Sequence, residues 1–123
     1  MSRDARSPRV LVVDDDQDMR YAIAAALRDE GFVVDAAANG TEALHLAGRE
    51  APDVLVLDVT LPGLDSSEVS ARLRALRQPE LPVLVITADG HAREKARQLG
   101  AYAYLHKPFD LLRLIDQVRR ATG

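Results

Sequence analysis

At 123 residues the chain is long enough for one hydrophobic core and too short for two, so a single domain is expected. Its 47% hydrophobic and 28% charged residues match a soluble globular protein and exclude extended disorder, and a net charge of −3 offers no general attraction to nucleic acid. With no cysteine, disulfides, thiolate metal sites and thiol catalysis are all excluded.

Met1 to Arg9 is polar and charged, and no later run approaches the ~20 apolar residues of a membrane span, so a cytoplasmic location and no membrane contact are expected. Residues 1–8 read as a flexible arm and 9–123 as the domain. Val10-Leu11-Val12-Val13 has the continuous apolar character of a strand buried on both faces. The first helical stripe follows at Met19, Ile23, Ala26 and Leu27, with Asp16 or Asp18 near its start and Gly31 after its end. Val33-Val34, before Asp35-Ala36, is a weaker strand, and Ala43, Leu44 and Ala47 mark a second helix after Asn39-Gly40. Val54-Leu55-Val56-Leu57 repeats the buried-strand pattern and leads to a helical stripe at Val69, Leu73 and Leu76. Val83-Leu84-Val85-Ile86 is the fourth strand, followed by Ala92, Ala96 and Leu99 between Asp89-Gly90 and Gly100. Ala101 to Leu105 reads as an edge strand closed by a turn at Lys107-Pro108. Leu111, Leu114, Ile115 and Val118 carry the last helix, whose Arg119 and Arg120 suit the negative end of its dipole. The alternation predicts an α/β fold of (βα)5 type around a mostly parallel sheet, with no internal repeat or linker.

Ligands of open α/β sheets gather where the strands' carboxyl ends meet the following loops. Asp14, Asp15 and Asp16 follow the first strand, Asp58 the third, Thr87 the fourth and Lys107 the fifth. Singly, each has an ordinary explanation as a helix cap or a solvated side chain. Together they would crowd one rim with like charges, which needs a cation. Ionised Asp14, Asp15 and Asp58 carry three negative charges, and Lys107 with one divalent ion carries three positive ones. An all-oxygen donor set favours a hard ion such as Mg2+. His45, His91 and His106 are scattered, so zinc is not expected.

Four segments, Val-Leu-Val-Val-Asp14-Asp15-Asp16, Leu57-Asp58-Val59-Thr60-Leu61-Pro62-Gly63-Leu64-Asp65, Val85-Ile86-Thr87-Ala88 and Lys107-Pro108-Phe109, resemble the CheY-like receiver domain of two-component response regulators in order and spacing, over nearly the whole chain. That resemblance implies a doubly wound, flavodoxin-like five-stranded parallel sheet of order 2-1-3-4-5. It implies Asp58 as the phosphorylated residue and Mg2+ or Mn2+ as cofactor, held directly by Asp15, Asp58 and the backbone carbonyl of Thr60, and by Asp14 mostly through water. Thr87 and Lys107 would hold the phosphoryl oxygens, Tyr104 would be the switch aromatic, and the Lys107-Pro108 bond would be cis. Thr60 and Asp89 stand where the family tunes the lifetime of the phosphoryl group, while Asp16 reads as a helix cap. Two departures are Ser66, where the family usually has glycine, and Gly100-Ala101-Tyr102-Ala103-Tyr104, which lacks the paired aspartates of winged-helix regulators.

The implied partners are a sensor histidine kinase or histidine phosphotransfer protein and an output protein or domain, with no direct nucleic-acid contact. The implied state is a monomer or a phosphorylation-dependent dimer. The implied chemistry is Mg-dependent self-phosphorylation and slow autodephosphorylation only, the readout being the surface of the fourth helix, fifth strand and fifth helix. The alternative is an aspartyl-nucleophile phosphatase or phosphotransferase acting on a separate substrate, as in the haloacid dehalogenase class. That class has a second acid two positions after its nucleophile, where this chain has Thr60, and a cap domain for which there is no room. A nucleotide or flavin module would need a Gly-rich or hydroxyl-rich loop after the first strand, and Asp14-Asp15-Asp16 would repel phosphate there. A degenerate receiver would lack a site residue, and none is missing.

Overall fold

The computed structural model describes residues 7–60, 66–76 (side chains from residue 68) and 80–123. Strands and helices alternate strictly: β1 (Arg9–Val13), α1 (Gln17–Asp29), β2 (Val33–Ala37), α2 (Gly40–Arg49), β3 (Val54–Asp58), α3 (Ser66–Leu76), β4 (Val83–Thr87), α4 (Ala92–Leu99), β5 (Ala103–His106) and α5 (Leu111–Thr122). The strands form one sheet of order β2-β1-β3-β4-β5 in which every pairing is parallel. Parallel pairing forces each of the four connections to cross over the sheet; α1 to α4 supply those crossovers and α5 follows the last strand. Chain progression reverses direction between β1 and β3, which opens a crevice at their carboxyl ends. The loop 61–65, with Gly63 and Asp65 of the resemblance, and most of the expected arm lie outside the described residues, as does the effect of Ser66 on that loop.

Side chains alternate across a strand, so each central strand feeds two cores. Val10, Val12, Val56, Leu84 and Ile86 pack with Ile23 and Leu27 of α1 and Leu114, Ile115 and Val118 of α5. Leu11, Val13, Leu55, Leu57, Val83 and Val85 pack on the opposite face with Ala43 and Ala47 of α2, Val69 and Leu73 of α3, and Ala96 and Leu99 of α4. Burial of one such Val or Leu side chain contributes about 1.5–3 kcal/mol. No described helix is long and apolar enough to cross a membrane.

Side-chain caps fix the starts of α1 and α2. Asp16 Oδ1 accepts from the amides of Asp18 and Met19 at 3.0 and 3.2 Å, so Asp16 is the N-cap of α1 and Asp18 belongs to its first turn. Asn39 caps α2 by accepting from Glu42 N at 2.8 Å, and Glu42 reaches back to the amide of Ala38 at 2.6 Å. Gly100 closes α4 at φ 67°, a conformation that costs glycine little. The amino ends of the strands are tied by charge: Arg9 bonds Asp35 at 2.9 Å, and its amide donates to Asp53 Oδ2 at 2.8 Å.

Two expectations shift. The fifth strand, expected from Ala101 to Leu105, runs Ala103–His106, because the Ala101 amide is spent on Ala96 O at 2.9 Å in closing α4. Leu76, expected on the apolar stripe of the third helix, is half exposed at the end of α3. Before β5, Tyr102 donates its hydroxyl to Gln117 O at 2.8 Å, fastening this edge to α5. Burial raises the Tyr102 pKa to about 12.

Leu27→Ala is expected to lower unfolding free energy by about 2–5 kcal/mol in urea titration, whereas Leu112→Ala, at a side chain 70% exposed, should stay within about 0.5 kcal/mol. A raised phenol pKa favours the neutral form in the fold, so its contribution to stability is complete below pH 10 and lost as pH rises through about 12. Spectrophotometric titration should show a tyrosine component ionising near pH 12 that disappears in Tyr102→Phe.

Candidate functional site

Asp14 leaves β1 with its amide still in the sheet, donating to Ala37 O at 3.1 Å, and is fully buried. Its Oδ1 accepts from the amide of Asp16 at 2.9 Å. Its Oδ2 lies 2.8 Å from Lys107 Nζ, yet no donor among the described residues is aligned on it for a hydrogen bond. Asp58 ends β3, also buried. Its Oδ1 accepts from the amide of Thr60 at 2.8 Å and from the Thr60 hydroxyl at 2.6 Å, while its Oδ2 faces Lys107 Nζ at 3.1 Å. Asp15, in the same loop as Asp14, is exposed, and single carboxylate oxygens of Asp14, Asp15 and Asp58 lie within 4.8 Å of one another.

Lys107 is placed by the β4-β5 edge. Its amide donates to Thr87 O at 2.8 Å, a cis bond joins it to Pro108, and its ammonium bridges Asp14 and Asp58. The Thr87 side chain is buried, and its Oγ1 accepts from the amide of Asp89 at 2.9 Å. The fold thus brings Asp14, Asp15, Asp58, Thr60, Thr87 and Lys107 to the crevice at the strand ends. It places Tyr104 elsewhere: 43% exposed, it lines a shallow groove with Arg93, Ala96, Arg97 and Tyr102. The carboxylate of Asp89 is held by α4, with Lys95 Nζ at 3.1 Å and the His91 amide at 2.9 Å. All three histidines are exposed, and none joins the acidic cluster.

Electrostatics follow from this crowding. Burial raises the pKa of Asp14, and the neighbouring charge of Asp58 adds to it, against the opposing pull of Lys107 and the Asp16 amide. Burial alone would lower the pKa of Lys107, but the hydrogen bond to Asp58 and the close negative charges of Asp14 and Asp58 outweigh it and hold the ammonium protonated. The Asp89 carboxyl is pulled down by Lys95 and then by the His91 amide. Two like charges about 4 Å apart repel by about 4 kcal/mol at an effective dielectric of about 20, and one ammonium cannot balance three carboxylates. The unaligned Asp14 oxygen and an all-oxygen donor set fit a hard divalent cation.

Two contacts were not legible in the sequence. Arg20 Nη1 reaches back from α1 to the carbonyl of Asp14 at 2.9 Å, and Lys95 reaches from α4 to Asp89. Neither belongs to a motif.

Comparison with known proteins agrees with the fold. The family model of the response regulator receiver domain matches residues 10–119. Response regulator MprA of Mycobacterium leprae is 42% identical over 113 residues, covering 90% of this chain and 49% of that protein, so the chain spans about half the length of this relative. The solved structure of Vibrio cholerae chemotaxis protein CheY4 is 30% identical, with a TM-score of 0.86 over 94% of this chain and 99% of that one. Response regulator TrrA of Thermotoga maritima, solved in complex with Mg(2+)-BeF, is 31% identical, with a TM-score of 0.81 over 93% of this chain and 98% of that one. The separate-substrate phosphatase reading finds no support in these relatives. With a matching family model along most of its length, the chain belongs to the receiver domains of two-component response regulators.

Proposed function

We propose that Asp58 accepts a phosphoryl group from a phosphohistidine on a sensor histidine kinase or histidine phosphotransfer protein. The observation that carries this reading is a buried carboxylate, oriented by Thr60 through one oxygen and by Lys107 through the other, beside the acidic pair Asp14 and Asp15. An Asp58 oxygen attacks phosphorus in line, forming the new O–P bond as the N–P bond to histidine breaks and its electron pair returns to the imidazole. The product is an aspartyl phosphate. Lys107 holds developing charge on the phosphoryl oxygens. The Thr87 hydroxyl already accepts from Asp89 N, so its proton is free to be donated to a phosphoryl oxygen.

Asp15, Asp58 and the Thr60 carbonyl would hold Mg2+ or Mn2+ directly, with Asp14 contributing through water. When bound, the ion neutralises carboxylate and phosphoryl charge. The Mg(2+)-BeF complex of the Thermotoga relative supports this choice of ion. Thr60 and Asp89 tune how long the acyl phosphate lasts. Drawing Thr87 inward lets Tyr104 leave its half-exposed position, and the α4-β5-α5 surface carries the change to an output domain or protein. An output domain outside this chain accords with the half-length match to MprA. The reading makes the domain a signalling switch, with only self-phosphorylation and slow autodephosphorylation, in the cytoplasm where such kinases present their phosphohistidine.

Incubation with Mg2+ and acetyl phosphate should add one phosphoryl group, seen by intact mass, that is absent in Asp58→Asn; an adduct persisting in that variant sinks the assignment. Mg2+ at about 100 times its Kd should stabilise the metal-free fold by about 2.7 kcal/mol in urea titration, and Asp15→Asn should lose most of that gain.

A further inference from the structure

Asp15 differs from its two neighbours in how it is held. Asp14 and Asp58 are buried and each carboxylate has protein partners, whereas Asp15 is exposed and its carboxylate has no hydrogen-bond or ion-pair partner among the described residues. Even so, one of its oxygens stands within 4.8 Å of theirs. Its direction is therefore set by the backbone that carries it. The peptide joining Asp14 to Asp15 has one oxygen, Asp14 O, and Arg20 Nη1 donates to it at 2.9 Å. The residue behind that peptide is anchored independently, Asp14 N to Ala37 O at 3.1 Å and Asp14 Oδ1 to the Asp16 amide at 2.9 Å. Arg20 itself starts from a fixed base, its amide donating to Asp16 O at 2.9 Å in the first turn of α1. With Asp14 held on one side, the guanidinium stands where it can set the tilt of the Asp14-Asp15 peptide plane.

We propose that Arg20 is a positioning residue for cation binding, fixing the Asp14-Asp15 peptide so that the Asp15 carboxylate faces the site. The inference rests on the functional reading above. Charge alone predicts the opposite outcome. A guanidinium bonded to the Asp14 carbonyl, near the acidic cluster, repels an incoming cation, so removing it should tighten Mg2+ binding if Arg20 acted only as a charge. A residue that orients a ligand group weakens metal binding when removed, by about tenfold at the lower end of such effects. The sign of the change therefore separates the two roles.

The test is a titration with Mg2+ alone, followed by amide NMR shifts, in wild type, Arg20→Met, Arg20→Lys, Asp15→Asn and the Asp15→Asn/Arg20→Met double variant. Arg20→Met keeps the aliphatic stem and discards the donor and charge. It should bind Mg2+ about tenfold more weakly than wild type while its metal-free melting temperature stays within about 2 °C. Arg20→Lys, which keeps a charged donor, should recover most of the affinity, and adding Arg20→Met to Asp15→Asn should cost no further affinity, because the effect runs through Asp15. Mg2+ binding in Arg20→Met that is equal to or tighter than wild type overturns the proposal. So does a full further loss in the double variant. A wild type that binds no Mg2+ overturns the functional reading and this inference with it, whereas a binding wild type with an unimpaired Arg20→Met overturns this inference alone.

Discussion

Two buried carboxylates sharing one ammonium, with a third acid beside them at the carboxyl edge of the sheet, form the constraint around which the structure is arranged. Asp14 and Asp58 are withdrawn from water, so their repulsion is weakly screened, and Lys107 divides one positive charge between them. Left to relax, such groups would separate or take up protons. They are held together because the backbone of each is bonded to the sheet: Asp14 just after β1 through Ala37 O, Asp58 within β3, and Lys107 just after β5 through Thr87 O. The strands that carry the two acids are packed on both faces, and their amino ends are tied by the well-satisfied contacts of Arg9. The free energy needed to keep an electrostatically unfavourable group of side chains in place is supplied elsewhere in the fold.

The same division appears in the loops. Asp16 resembles its two acidic predecessors in the sequence but does a different job, because its carboxylate is occupied by two amides at the start of α1. Asp58 is likewise engaged by Thr60 through one oxygen only, which leaves the other directed to Lys107. Hydrogen bonds to the backbone thus decide which acids remain available and which oxygens of those acids face the crevice.

Much of this was legible in the sequence, for identifiable reasons. Four-residue apolar runs such as Val54 to Leu57 have few structural uses, and the residue after each run inherits its place at the sheet edge, so Asp14, Asp58 and Thr87 could be located before any coordinates. The three-dimensional reach of long side chains could not. Arg20 and Lys95 sit on helical surfaces where arginine and lysine are ordinarily solvated, and only the packing of α1 against β1 and the turn into α4 decides that they meet Asp14 O and Asp89. The start of β5 was missed because the Ala101 amide serves α4, a choice between two backbone partners that side-chain identity does not record. Asp110, the N-cap of α5, did carry a readable signal, an acid directly before the stripe at Leu111, that went unused.

Thr87 is restrained unequally along its own length. Its carbonyl is bonded to the Lys107 amide and its backbone is registered against His106, so the main chain has no room to follow a ligand. Among the described residues its hydroxyl is retained only by the amide of Asp89, a loop residue whose carboxylate is bonded to Lys95 of α4. Any response at this residue is therefore confined to one side-chain torsion, together with whatever the loop concedes. Threonine χ1 has a few staggered wells and little between them. A group restrained in this way steps between positions and does not drift, so the pocket is suited to an all-or-none signal from each molecule, with any grading left to the fraction of molecules that have stepped.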